Sequence, residues 1–207
     1  MPSVALSAAE VRRLLAGSLL VVRPIVPQPR EGLEFIRMLF PWKGKAQAEF
    51  ETPDGHPNPL MYHPLCPFGG VTGDVLVCKE AAWWPTCLNC GDGKYVADCP
   101  ERPGYMYEKV PAQRLPLTAV RLRPTVIEAG VMRANAITDK QAVLAGWPGP
   151  ETLRRLVLAM DGTASGQAAI EWFALTWNAK YDKKYGTFAD AAPWCWWALV
   201  EVKEQHA

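Results

Sequence analysis

Two cysteines stand three positions apart in Cys87-Leu88-Asn89-Cys90, followed directly by Gly91-Asp92-Gly93. Thiolates at that spacing can turn onto one tetrahedral ion, and the glycines allow the tight turn this needs. Cys99 offers a third ligand, and a fourth would have to come from Cys66, Cys78 or His63, because the chain has no second paired motif. Two readings stay open: a structural zinc that holds the segment 84–116 together, and free thiols in an irregular loop. All six cysteines are irregularly spaced in a chain of 207 residues, a length whose core needs no disulfide staples. Reduced thiols are therefore expected.

The chain also carries nine tryptophans, well above the roughly 1–1.5% of an ordinary protein. Trp83, Trp84, Trp172, Trp177, Trp194, Trp196 and Trp197 could offer stacking faces to unpaired bases, each worth ~1–3 kcal/mol, although most indoles belong in a core. Trp194 and Trp196 share one face of a strand and Trp197 takes the other. Lys and Arg number 22 against 21 Asp and Glu, so any polyanion site must be a local patch. The clusters that could form one are Arg12-Arg13, Arg121 with Arg123, Arg154-Arg155, and Lys180 with Lys183 and Lys184; each reads equally as a solvated face. His56, His63 and His206 make no triad with a placed Ser or Cys. A Gly-rich phosphate loop followed by Lys and Ser or Thr is also missing, which disfavours the common nucleotide hydrolases.

The elements that must position these residues can be read from caps and periodicity. Ser7 and Glu10 form a capping box, Val11, Leu14 and Leu15 an apolar stripe, and Gly17 a terminator; the β-branched run through Arg23 then reads as a strand. From Pro24 to Pro67 the density of Pro and Gly predicts a long surface excursion. A short strand is expected over Val75–Glu80, a bent strand region over Ala119–Val131, and a second capped helix from Thr138 to Gly146. Glu151–Met160 and Gln167–Trp177 read as amphipathic helices, and Pro193–Val202 as a closing strand sharing a sheet with the first. The apolar stretch Leu14–Val22 is about nine residues, half of a bilayer span, and Arg23-Pro24 stands where a signal cleavage site would be, so a cytoplasmic protein without a membrane segment is expected. Scattered short strands with helices between them favour an α+β domain around a small mixed barrel. One domain over 1–207 is expected, with insertions at about 27–66 and 84–116; the helical stretch 148–180 reads as an insertion or a subdomain.

Five segments, taken in order, resemble the ASCH-domain proteins of phage and prophage type, which have a PUA-like β-barrel with flanking helices. They are the helix followed by Gly17-Ser18-Leu19-Leu20-Val21-Val22-Arg23; Pro27-Gln28-Pro29; Cys66-Pro67-Phe68-Gly69 with Gly73-Asp74, Lys79-Glu80 and Trp83; Ile137-Thr138 through Ala142 and Gly146; and Trp177-Asn178, Tyr185-Gly186 and Pro193-Trp194 near the end. The resemblance implies binding of RNA or related nucleotides in a cleft against the barrel. Some small relatives are hydrolases of acetylated cytidine that use a Lys, a Thr and a Glu. Here the Lys position is Leu19 and the Thr position Val22, while Arg23 and Glu80 are retained. Leucine and valine can neither attack, activate nor stabilise an oxyanion, so two of the three chemical roles are empty.

Arg23 and Glu80, with Trp83 beside them in sequence, are thus the expected ligand-binding residues: the guanidinium would grip a phosphate or base edge and the carboxylate would hold it. A strand-to-strand ion pair without a ligand is the alternative. The leading expectation is a noncatalytic binder of RNA, single-stranded nucleic acid or a nucleotide. A divergent hydrolase of modified nucleosides, and a module that inhibits a host protein through its Trp-rich and Pro-rich insertions, remain as the other classes.

Overall fold

The computed structural model describes residues 2–42, 45–53, 60–69, 72–86, 93–149 and 168–202. Its centre is a three-stranded antiparallel sheet in which β2 (Ser18–Pro24) and β10 (Thr125–Arg133) flank β11 (Trp194–Glu201). Both faces of this sheet are covered, which is why its strands read as near-continuous apolar runs. Leu19 and Val21 enter one core with Val126, Trp196, Ala198 and Val200. Leu20, Val22 and Cys195 enter a second core on the opposite face. Gly130 on β10 stands opposite Trp197 on β11, where a Cβ would lie 2.9 Å from the indole, so the missing side chain is what lets that ring lie across the strand.

The first core is closed by a parallel pair, β1 (Ser3–Leu6) with β6 (Val77–Glu80), and by a meander of β3 (Glu34–Trp42), β4 (Lys45–Glu51) and β5 (Met61–Tyr62). Ala46, Ala48 and Phe50 alternate inward from β4, and Phe50 packs edge-on against Phe35 at 5.7 Å and Trp194 at 5.2 Å. The stretch from Pro24 to Pro67 is therefore not wholly a surface excursion: its described residues include a hairpin whose alternation supplies part of the core. A fourth sheet, β8–β7–β9 (Lys94–Tyr95, Ala82–Pro85, Tyr107–Val110), organises much of the 84–116 stretch, and Leu115 is buried beside Val77 and Ala82.

The second core is closed by helices. α2 (Asp139–Leu144) starts on a capping box of Thr138 and Gln141 and is followed by Gly146 at φ +108°. α3 (Ala168–Tyr185) buries Ala169, Trp172, Phe173 and Trp177 against the sheet. The sequence places its end at Trp177, but the helix runs two turns further because Tyr181 and Tyr185 continue the same face. The expected helix over Glu151–Met160 lies outside the described residues.

The architecture is mixed α+β, as the scattered strands imply, but the described strands form four separate sheets that do not close into a barrel. Isolated bridges Val75–Thr125 and Cys78–Leu122 tie the β6 region to the residues at and just before the start of β10, and Gln47–Leu65 ties β4 to the segment after β5. No described helix is long and apolar enough to cross a membrane.

Cys66, Cys78 and Cys195 are buried, and burial pushes the Cys66 thiol up to about 11 and the Cys78 thiol up to about 12. Since the thiolate is the reactive form, all three should resist a disulfide reagent at pH 8 in the native state and react only on unfolding. Peptide mapping of labelled protein checks this, and labelling of Cys78 before unfolding would contradict it.

Candidate functional site

A capping residue supplies the charge at the heart of the site. α1 (Ala8–Leu15) begins at Ser7, whose hydroxyl accepts from the Glu10 N–H at 3.3 Å while Glu10 Oε2 accepts from the Ser7 N–H at 2.7 Å. The other carboxylate oxygen of Glu10 accepts from Arg23 of β2 at 2.8 Å. Arg23 also donates to the carbonyls of Val22 at 2.8 Å and Ala5 at 2.7 Å. The two side chains retain only 16% and 13% exposure, so the pair is largely withdrawn from water.

Burial by itself would raise the Glu10 carboxyl, but the Arg23 charge and the hydrogen bonds from Arg23 and Ser7 outweigh it and hold the group below its ordinary 4.5. For Arg23, burial pulls downward, but the Glu10 carboxylate together with Tyr181 and Cys78 outweighs it, so the guanidinium is held above its ordinary value. A carboxyl depressed by folding contributes stability that is present above its ordinary value and is lost as pH falls through its folded-state value. The stability advantage of the wild type over Glu10→Gln should therefore be full at neutral pH and shrink below about pH 4.5. Urea titrations across that range measure it; a constant difference would refute the linkage.

This pair stands in the wall of a cavity of about 260 Å³ between α1, β2 and α3. Leu20 and Val22 of β2 and Ala145 after α2 supply aliphatic surface; Trp172, Phe173, Trp177 and Tyr181 supply aromatic surface; Ser7, Thr176 and Lys180 add polar groups. The α3 residues recur at three- and four-residue intervals, which puts them on one helical face. The Trp177 indole N–H is buried without a hydrogen-bond partner among the described residues. Leaving such a donor unmet costs ~1–3 kcal/mol.

The residues expected to bind ligand are not brought together here. Arg23 and Val22 line the cavity, but Leu19 points into the opposite core. Glu80 is not the partner of Arg23. It is buried and takes two bonds from Arg121, at 2.8 and 3.2 Å, while Arg121 also binds Asp98 and stacks 4.1 Å from the Tyr95 ring. Trp83 donates its indole N–H to the Cys99 carbonyl at 2.9 Å, away from the cavity wall. Glu80 lies on β6 opposite Leu6, and its side chain meets Arg121 instead.

Cys87 and Cys90 lie outside the described residues. Cys99 is partly exposed, with its thiol 3.2 Å from the Glu101 carbonyl, and among the described residues no three metal-ligating side chains converge. Of the other suggested ligands, Cys66 and Cys78 are enclosed in the first core, and His63 stands 3.5 Å from the Glu49 carboxylate.

Sequence reasoning missed Glu10, Thr176 and Tyr181 as lining residues and saw Lys180 only as part of a basic cluster. Glu10 was visible only as a cap, and a cap leaves one carboxylate oxygen free for a second role. The signal for the helix was the spacing of residues 169, 172, 173, 176, 177, 180 and 181, read beyond Trp177. Comparison with known proteins finds no matching family model, no matching curated protein and no matching solved structure.

Proposed function

We propose that the chain binds a nucleotide or single-stranded nucleic acid noncatalytically, by taking a base into the cavity between β2 and α3. The observation that carries this reading is the Arg23–Glu10 pair set in a wall of Trp172, Phe173, Trp177 and Tyr181. Planar apolar walls suit the faces of a base, and base–aromatic stacking is worth ~1–3 kcal/mol. The bonds to Glu10, Val22 and Ala5 use three of the five N–H donors of Arg23, and the remaining donors suit a base carbonyl or a phosphate. A volume of about 260 Å³ lies at the small end of ligand sites and suits one base rather than a folded partner. The resemblance to ASCH-type, PUA-related proteins of phage points the same way, and such a protein would work in the cytoplasm of the host cell. The noncatalytic part of this reading rests on the resemblance, in which the Lys and Thr positions of the hydrolases are Leu19 and Val22 here; Val22 adds only hydrocarbon to the cavity wall, and Leu19 lies in the opposite core.

Fluorescence titration with the four ribonucleoside monophosphates and with short RNA and DNA single strands, at low and moderate salt, tests this. Ligand should quench the tryptophan emission, and Tyr181→Ala should weaken binding about tenfold, equivalent to ~1.4 kcal/mol. No binding by the wild type at low salt would remove the reading.

One observation favours a hydrolase as the second reading. Thr176 and Lys180, one helical turn apart, line the same cavity as Glu10 and bring a hydroxyl and an amine beside a carboxylate. Release of cytidine from acetylated cytidine, abolished by Thr176→Val, would establish it; an unchanged substrate would dismiss it.

A further inference from the structure

Where α3 ends, a second depression of about 450 Å³ is lined by Arg30, Arg133, Tyr185, Pro193 and Trp194, with Glu31 its single acidic lining residue among those described. It is joined to the base cavity by a row of rings. Trp177 and Tyr181 line the first cavity and Tyr185 the second; successive ring centroids lie 4.7 and 6.1 Å apart. These residues are four apart, so each turn of α3 presents one ring on the same face. Lys180 and Lys184 accompany the row, with Nζ 5.0 Å from the Tyr181 ring and 5.1 Å from the Tyr185 ring.

The far end is built to hold a guanidinium in place. Gln28 donates to the Trp194 carbonyl and accepts from the Trp194 N–H, both at 2.9 Å, which fixes that residue at the start of β11. Arg133 stacks 4.1 Å over the Trp194 ring and donates one N–H to the Ala192 carbonyl at 3.1 Å. Its plane is thereby set, and its other donors remain for an anion.

We propose that the nucleic acid whose base enters the first cavity continues along the Tyr181–Tyr185 row and has a later phosphate gripped by Arg133 and Arg30. The ligand is then a single-stranded oligonucleotide rather than a free nucleotide. Alternation of rings and cations along one line matches the alternation of bases and phosphates in an unpaired strand. From Trp177 to Tyr185 the helix advances on the order of 12 Å, a reach of a few nucleotides. This inference rests on the base-binding reading of the first cavity.

The test measures wild type, Arg133→Ala, Arg133→Lys and Arg30→Ala against the four ribonucleoside monophosphates and against one mixed-sequence six-nucleotide strand, made as RNA and as DNA. The wild type should bind the hexamer at least about tenfold more tightly than any monophosphate. Arg133→Ala should lose about tenfold more affinity for the hexamer than for the monophosphate and flatten the salt dependence of hexamer binding by about 0.7 in log–log slope. Arg133→Lys should recover part of the loss, which separates charge from folding. Equal affinity of hexamer and monophosphate would overturn the strand and leave the base cavity standing; failure of both ligands to bind would overturn both. The RNA and DNA arms identify which sugar the track accepts.

Discussion

Phe50→Ala is expected to lower the unfolding free energy by about 3–5 kcal/mol, the cost of removing a large aromatic ring from a packed core. Phe50 is completely buried, and its ring touches Phe35, Tyr62 and Trp194 within centroid distances of 5.2–6.2 Å. Few atoms nearby can collapse into the space, because the β3–β4 hairpin and the central sheet are both pinned by ladder hydrogen bonds. Urea unfolding followed by circular dichroism measures the loss. Ile36→Ala on the same hairpin is the comparison: Ile36 is half exposed and should cost under about 0.5 kcal/mol. Equal small losses at both positions would mean that this hairpin is a surface attachment after all.

Glu10→Ala should cost about 3–4 kcal/mol, more than its place at a helix start suggests. Loss of a capping interaction accounts for ~1 kcal/mol. The larger part comes from Arg23, whose guanidinium would stay in a mostly enclosed position without its counter-charge; breaking such a pair typically costs ~3–5 kcal/mol. Some exposure of both groups and the two carbonyl acceptors of Arg23 place the value toward the lower end. A double-mutant cycle with Arg23→Met isolates the coupling. The double variant should be more stable than Glu10→Ala alone, since it removes the stranded charge. A loss no larger than a cap's would show that Arg23 reaches water unaided.

Local grammar was the most legible part of this chain. Both capping boxes form as their residues dictate, Gly17 and Gly146 take positive φ after their helices, and the first helix-flanked strand pairs with the closing strand. These features depend on neighbours a few residues away, which is why a sequence displays them. The hairpin at 34–51 was obscured because its proline-rich flanks dominate the composition, while the inward alternation of Ala46, Ala48 and Phe50 is short and built partly from small residues. The site was half legible. Arg23 could be singled out, but its partner could not, because Glu10 in the first turn of a helix and Glu80 at the end of a strand are both candidate carboxylates and only the tertiary packing decides which one it meets. That the described strands form separate sheets rather than a barrel was likewise a question of pairing rather than of individual strands.

Glu10 closes the first turn of α1 with one oxygen and neutralises the cavity arginine with the other. Under the proposed binding, occupancy of the cavity and order in the opening helix would be reciprocal: whatever tightens the grip on Arg23 would also change how often the first turn frays. A ligand that leaves the Glu10–Arg23 bond intact should slow amide hydrogen exchange at the start of the helix, whereas one that competes for the guanidinium should quicken it. If the proposed ligand binds there, the N-terminus of this helix would report how the cavity is filled.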